Sequence, residues 1–295
     1  MSLFLSQLFI GLGNGVVYAS VALALVLIYR TTGILNFAQG EMALFATYVT
    51  WKLTTHHLPV VLCIVLSMAL AFVCGAVIER VIIRPVENAS PLTVVIVTIG
   101  MFLAINSITQ IIFHSDSKTL PTPFPDHQWR VASTAITAGT VGLVGVLVVE
   151  CLVLYLLLQR TRLGLALRAV ADNTESSRLV GINSGLMLMV GWGLASALGA
   201  VAGALVVPTQ PGGALVPSTM QGVLVLSFAA AALGGFDSVL GAVVGGLIVG
   251  VADAMTKQYV GFLNQIELVV PFGLILIVLV VRPNGLFGHK VVERV

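Results

Sequence analysis

The sequence predicts an all-α integral membrane protein, a polytopic bundle of about 8–9 transmembrane helices, with its N-terminus outside the cytoplasm and its C-terminus within it. Three observations predict this. Only 9% of the 295 residues are charged and 58% are hydrophobic, against about 25% charged in soluble domains, which leaves too little polar surface to face water. Apolar runs of spanning length recur along the whole chain. The basic residues between those runs fall mostly on one side.

A helix needs about 20 apolar residues to cross the hydrocarbon core. Candidate spans lie near residues 7–29, 34–51, 58–79, 92–113, 132–158, 184–207, 221–234, 239–256 and 266–282. Each is expected to be helical, since a lone strand would leave its backbone groups unpaired in lipid. The segment 221–234 is short, and the GGFDS turn after it would suit either a full crossing or a re-entrant hairpin. The first segment has no Lys or Arg before Arg30. It therefore lacks the basic start of a cleaved signal peptide and is expected to remain as a span.

Lys and Arg accumulate on the cytoplasmic side of membrane proteins. With the 159–183 loop placed inside, Arg30, Arg80, Arg84, Arg160, Arg162, Arg168, Arg178, Arg282, Lys290 and Arg294 lie inside, and Lys52, Lys118, Arg130 and Lys257 lie outside. The outer loop 114–130, HSDSKTLPTPFPDHQWR, carries three prolines and reads as a stiff surface segment. No loop is long enough for a separate catalytic unit, so residues 1–295 read as a single transmembrane domain. Cys63, Cys74 and Cys151 sit in apolar runs without a CxxC pair, which gives no disulfide or metal signal. The net charge of +2 gives no sign of nucleic acid, and none is expected as a partner.

Small residues recur at four-residue spacing, at Gly11 and Gly15, at Ala195, Gly199 and Gly203, at Gly241 and Gly245, and at Gly246 and Gly250. Such ridges let helix backbones approach closely in lipid. The expected use is packing within one bundle, with pairing to another subunit as the compatible alternative.

Polar groups inside the spans are costly and draw attention to function. Asn36, Gln39 and Glu41 stand between Gly33 and Met42 in an otherwise apolar stretch. On a continuous helix they would not share one face, so two surfaces are served. Gly33 and Gly40 permit an irregular helix start whose freed backbone groups the amides satisfy. Glu41 would lie about 10 Å in from Gly33 at helical rise, which suggests either a polar lock at the inner end of the spans or part of a solute path. Glu150 and Asp253 are further acids in or near spans, with no basic residue within a span beside them in sequence. A proton-coupled secondary carrier would use such acids as a relay.

The loop QRTRLGLALRAVADNTESSRLVGIN is patterned rather than a bare connector. Leu163, Leu167, Val170 and Thr174 recur at three- and four-residue spacing, while Arg168, Asp172, Glu175 and Arg178 suit a solvated side. Gly181, followed by Ile182, is a plausible stop. One or two short helices beneath the membrane are predicted, either bracing the spans or docking a cytoplasmic partner.

The blocks LNFAQGEM, IERVIIRPV, VTIGMFLAIN, RTRLGLALRAVADN with RLVGIN, AALGGFDSVLGAVVGGLIVGVADA and RPNGLFG occur in this order. In them the chain resembles the H-type permease subunit of bacterial branched-chain amino acid ABC importers. The resemblance implies a multi-pass permease of the bacterial inner membrane with a periplasmic N-terminus. It implies a second, M-type permease, two ABC ATPase subunits holding ATP and Mg, and a periplasmic binding protein that delivers a small-molecule substrate. It also places the coupling helix at Arg162 to Ile182, so that Arg162, Leu163, Arg168, Ala171, Asp172, Glu175, Leu179, Gly181 and Ile182 become candidates for coupling to the ATPase. Asn36, Gln39, Gly40, Glu41, Thr98 and Asn106 become candidates for pathway or gate.

Two positions depart from the family pattern. Gln39 stands where NFAHGE has His, which removes a titratable group. Asp237 stands where GGxGS has Gly, which makes the turn less permissive. The chain contains no G-x-x-x-x-G-K-[ST] run and no H-E-x-x-H pair, so neither a nucleotide site nor a zinc-protease site is expected. The subunit is expected to be non-catalytic and to hold no cofactor of its own.

Overall fold

The computed structural model describes residues 2–131, 134–260 and 269–288. The chain is mostly helical. Helices α1 (Ser2–Thr32), α2 (Gln39–Thr54), α3 (Val60–Ile78), α4 (Pro91–Phe113) and α5 (Ala138–Arg160) are followed by the short α6 (Arg162–Asp172) and α7 (Thr174–Leu179). Then come α8 (Ser184–Val206), α9 (Thr219–Gly234), α10 (Val239–Tyr259) and α11 (Val269–Val281). Among the described residues six helices are long and apolar enough to cross a membrane, and α9 is a shorter apolar helix.

Strands interrupt the all-helical expectation. β1 (Lys118–Thr119) pairs antiparallel with β4 (Ala214–Leu215), and β2 (Gln128–Val131) pairs with β3 (Thr134–Thr137). The helix expected from residue 132 begins instead at Ala138, since Thr134, Ile136 and Thr137 are β-branched and suit a strand. Residues 261–268, the region where the last predicted span begins, lie outside the described residues.

The chain forms two compact units, residues 1–26, 124–147 and 223–295, and residues 27–123 and 148–222. In the first, glycine ridges set the packing. A Cβ on Gly15 would lie 2.9 Å from Gly246 O, and one on Gly246 would lie 2.6 Å from Ala19 Cα, so α1 and α10 touch backbone to backbone. Gly241 and Gly245 face Gly234 and Ala230 of α9 in the same way. Ser238 caps α10 by accepting from Gly241 N at 3.0 Å. The positive φ of the GGFDS turn falls on Gly235, at 103°. Asp237 has no positive φ, so the expected cost of an acid at that position is not incurred. The RPNGLFG segment closes on this turn through Leu286 N to Leu233 O at 2.8 Å and Phe287 N to Gly234 O at 3.0 Å.

In the second unit α2, α3, α4 and α8 build the core. The α8 ridge lies on α2, where a Cβ on Gly203 would stand 2.9 Å from Ala43 O. Trp192, Tyr48 and Leu44 are fully buried there. The outward faces of α3 and α4 are apolar and exposed, as at Val73, Val77, Leu103 and Ile111, the surface expected of helices that face lipid.

Candidate functional site

The stretch from Gly33 to Ala38 is not helical, and its polar residues explain how it survives burial. Gly33 turns the chain at φ 69°. Asn36 Oδ1 accepts from Ala38 N at 3.0 Å, and its Nδ2 donates to Gln39 Oε1 at 3.2 Å. Gln39 Nε2 then donates to the backbone oxygen of Ala195 in α8 at 2.9 Å. Gly199 makes room for that amide, since a Cβ there would lie 2.7 Å from Nε2. Gly40 is buried within the first turn of α2.

Two residues further on, about 200° around the helix, Glu41 faces α4. Asn106 Nδ2 donates to Glu41 Oε2 at 2.8 Å and also to Pro217 O at 3.1 Å. Gln110 Nε2 donates to Asn106 Oδ1 at 2.6 Å. Thr98 Oγ1 reaches Leu35 O at 3.5 Å and Val95 O at 2.9 Å. The pathway candidates are thus brought together in one buried polar seam along α2, with Gln39 serving α8 and Glu41 serving α4.

The seam meets α4 in the half of that helix nearer its C-terminal end. Asn106 lies about 22 Å along α4 from Pro91 and about 10 Å from Phe113 at helical rise. Higher up the same pair of helices, Tyr48 stacks on Phe113 at 5.2 Å. Residues 33–38 break the helical path between α1 and α2, closing on a turn through Gln39 N to Asn36 O at 3.3 Å.

The 159–183 loop forms α6 and α7. Thr161 caps α6 by accepting from Gly164 N at 3.0 Å, and Asn173 caps α7 by accepting from Ser176 N at 2.7 Å. The buried face of α6 is Gly164, Leu167 and Val170. Leu163, expected on that face, is exposed, because Gly164 is the residue that meets the end of α5. A Cβ on Gly164 would lie 2.5 Å from Leu158 Cα. Arg168 Nη1 donates to Gln159 Oε1 at 3.1 Å. Arg162, Ala171, Asp172, Glu175 and Gly181 are exposed and Ile182 is half-buried. Leu179 and Val180, 85% and 75% exposed, form an apolar tip. Gly181, at φ 85°, ends α7.

A clamp beside this loop was not legible in sequence. Arg84 donates from Nη2 to Glu79 Oε2 at 2.9 Å, from Nε to Oε1 at 3.3 Å, and from Nη2 to Gly185 O at 2.6 Å. Five-residue spacing would splay the two side chains by about 140° on an α-helix. The π-helical turn Glu79–Ile83, in which Arg84 N donates to Glu79 O, removes that offset. Of the other intramembrane acids, Glu150 is buried on α5. Asp253 accepts from Tyr18 Oη at 3.3 Å and pairs with Lys257 one turn on at 3.3 Å, so a basic residue does stand beside it in sequence.

Helices of spanning length, apolar outer faces and a buried polar seam between them define a multi-pass helical membrane protein. The chain belongs to the family described as branched-chain amino acid transport system / permease component, whose model matches residues 7–279. It is 32% identical over 306 residues to the high-affinity branched-chain amino acid transport system permease protein LivH of Salmonella typhimurium strain LT2, covering 99% of this chain and 98% of that protein. To the corresponding permease protein BraD of Pseudomonas aeruginosa it is 31% identical, with the same coverage. A probable branched-chain amino acid transport permease protein LivH of Methanocaldococcus jannaschii is 30% identical over 94% of this chain and 91% of that protein. No solved structure matches the chain.

Proposed function

We propose that the chain is the H-type permease subunit of an ATP-driven importer of branched-chain or related small amino acids in the bacterial inner membrane. It forms half of the translocation pathway beside an M-type permease. Two ABC ATPase subunits bind below, and a periplasmic protein delivers the solute. The observation that carries this reading is the family match along residues 7–279, joined to relatives of the same length that are named as such permeases. The chain is non-catalytic in this reading, with ATP and Mg held by the partners.

The finer assignments follow from residues. About 8–9 helices cross the bilayer, with the N-terminus periplasmic and the 159–183 loop cytoplasmic, an orientation supported by the distribution of Lys and Arg. The apolar tip of Leu179 and Val180, with Arg162, Arg168, Asp172 and Glu175 around it, docks on an ATPase subunit and passes its closure to the spans. The seam of Asn36, Gln39, Glu41, Thr98 and Asn106 has two helix contacts to exchange and serves as the gate.

The test is uptake of labelled leucine into proteoliposomes holding the purified complex and its binding protein, with and without ATP on the cytoplasmic side. ATP-dependent uptake is expected. Uptake by this chain alone, driven by a proton gradient and indifferent to ATP, would overturn the reading.

A further inference from the structure

Where α4 meets the start of α9, the outer surface stops being apolar. Every exposed residue of α3 is apolar, from Val61 to Val77. On α4 the exposed residues Ile96, Ile99, Leu103, Ile108 and Ile111 continue that surface. Ser107 is exposed among them, however, and Asn106 and Gln110 beside it are half-buried. Asn106 carries the polar surface across to α9, because its Nδ2 donates to Pro217 O at 3.1 Å. On that second side Ser218 and Gln221 are exposed as well. The space beside this notch is open. A Cβ on Gly100, two turns before Ser107 on the same face, or on Gly222 would meet no atom within 4 Å.

Side chains and backbone both argue against lipid as the neighbour of the notch. Ser107 lies about 9 Å in from Phe113 at helical rise, within the apolar run Pro91–Phe113 that is long enough to span. Its hydroxyl and that of Ser218 have no partner among the described residues, a state that costs little in water and much in hydrocarbon. The chain that enters α9 is not helical either. Val216, Pro217 and Ser218 form a turn closed by Val216 N to Thr219 Oγ1 at 2.8 Å and Thr219 N to Val216 O at 2.9 Å. Non-helical backbone at membrane depth is stable only where protein buries it or where it lines a water-filled cavity. Ser218 is exposed, so this turn is not buried by its own chain.

We propose that this notch is the wetted wall of the solute path, and that Ser107, Gln110, Ser218 and Gln221 are the residues a passing amino acid touches. The inference rests on the transport function proposed above and divides the labour within it. Asn36, Gln39, Glu41 and Thr98 are at most 1% exposed, so they shape the gate without meeting the solute. The wall presents hydroxyls and amides, which both donate and accept. They therefore suit the ammonium and the carboxylate of a zwitterion alike. None of the four carries a charge, so neither end of the solute is held tightly enough to stop its passage. Asn106 joins the two parts, since the amide that holds Pro217 O also donates to Glu41 Oε2 at 2.8 Å behind the wall.

The test uses the complete complex in proteoliposomes, with Cys63, Cys74 and Cys151 replaced by Ala and a single thiol introduced by Ser107→Cys, by Ser218→Cys or, on the outer face of α3, by Val73→Cys. A charged, water-soluble methanethiosulfonate is added on the side of the binding protein. Modification is read from the mass of the intact chain, and function from ATP-driven uptake of labelled leucine. A thiol in apolar surroundings does not ionise and reacts slowly. Ser107→Cys and Ser218→Cys are therefore expected to react about tenfold faster than Val73→Cys or more, with uptake falling as they do. Reaction as slow as in Val73→Cys means that lipid or another subunit covers the notch, which overturns the inference and leaves the transport function standing. Fast reaction with unchanged uptake puts the wetted notch off the path and overturns it too. Absence of ATP-driven uptake by the unaltered complex removes the transport reading and this inference with it.

Discussion

Asn106 on α4 donates to Oε2 of Glu41 on α2 at 2.8 Å, and the same amide nitrogen holds Pro217 O at 3.1 Å. One side chain thus joins three segments around a fully buried carboxylate. Replacing Asn106 by Leu leaves Glu41 buried without that donor, at a cost of about 3 kcal/mol. The double variant Glu41→Leu with Asn106→Leu should lose less than the sum of the two single changes, because the unpaired group is gone. Thermal unfolding of the purified complex measures this coupling, and additive losses would exclude it.

Glu41→Gln keeps the shape and an acceptor for Asn106 but removes the ionisable carboxyl group. Uptake and the stimulation of ATPase activity by the loaded binding protein should both fall, with subunit composition intact. Co-purification separates this from misassembly, and unchanged transport would show that the carboxylate has no part in the gate.

The glycine ridge gives a steric prediction. A Cβ on Gly203 would lie 2.9 Å from Ala43 O, whereas one on Gly145 would have no neighbour within 4 Å. Gly203→Val should therefore separate α8 from α2 and destabilise by about 2 kcal/mol or more, while Gly145→Ala should be neutral or slightly stabilising. Yield and unfolding temperature in one detergent compare the two directly.

Legibility in the sequence followed the range of the forces involved. Apolar length and small-residue spacing are local, so α1, α3, α4, α8 and α10 could be placed from the chain alone. The separate roles of Gln39 and Glu41 were also readable, because two residues of a helix point to nearly opposite sides. What escaped depended on partners far along the chain or on irregular backbone. The Pro217 carbonyl completes the seam from 111 residues beyond Asn106, and Gln110 joins it one turn along α4 from Asn106. Glu79 and Arg84 met only because a π turn brought them into line. The β2–β3 hairpin was hidden by apolar residues that continue directly into α5.

The tip of the 159–183 loop allows its role to be separated from stability. Leu179 and Val180 are exposed and carry no buried contact that their removal would empty. Leu179→Asp with Val180→Asp should leave the unfolding temperature of the permease pair within about 1 °C, since surface changes away from structural features fall within ±0.5 kcal/mol. The same change should greatly reduce recovery of the ATPase subunits with the permease on affinity purification. Full recovery would move the docking contact to the charged residues of α6, where reversal at Arg168 or Asp172 is the next probe.

Arg84 ties the π turn after α3 to the start of α8. Its guanidinium is shared between Glu79, whose side chain is 1% exposed, and the Gly185 carbonyl at the start of α8. Arg84→Ala leaves the Glu79 carboxylate buried and unpaired, and the expected loss is about 2 kcal/mol, below the fully buried limit because Arg84 is partly solvated. Arg84→Lys keeps the charge but cannot make the forked contact and reach Gly185 O together. The lysine variant should therefore retain most of the stability while transporting less per ATP hydrolysed. The ratio of uptake to hydrolysis is the decisive measurement. A ratio equal to that of the unmodified complex would mean that Arg84 only braces the fold, and a reduced ratio at near-normal stability would mean that the clamp carries motion between the end of α3 and α8.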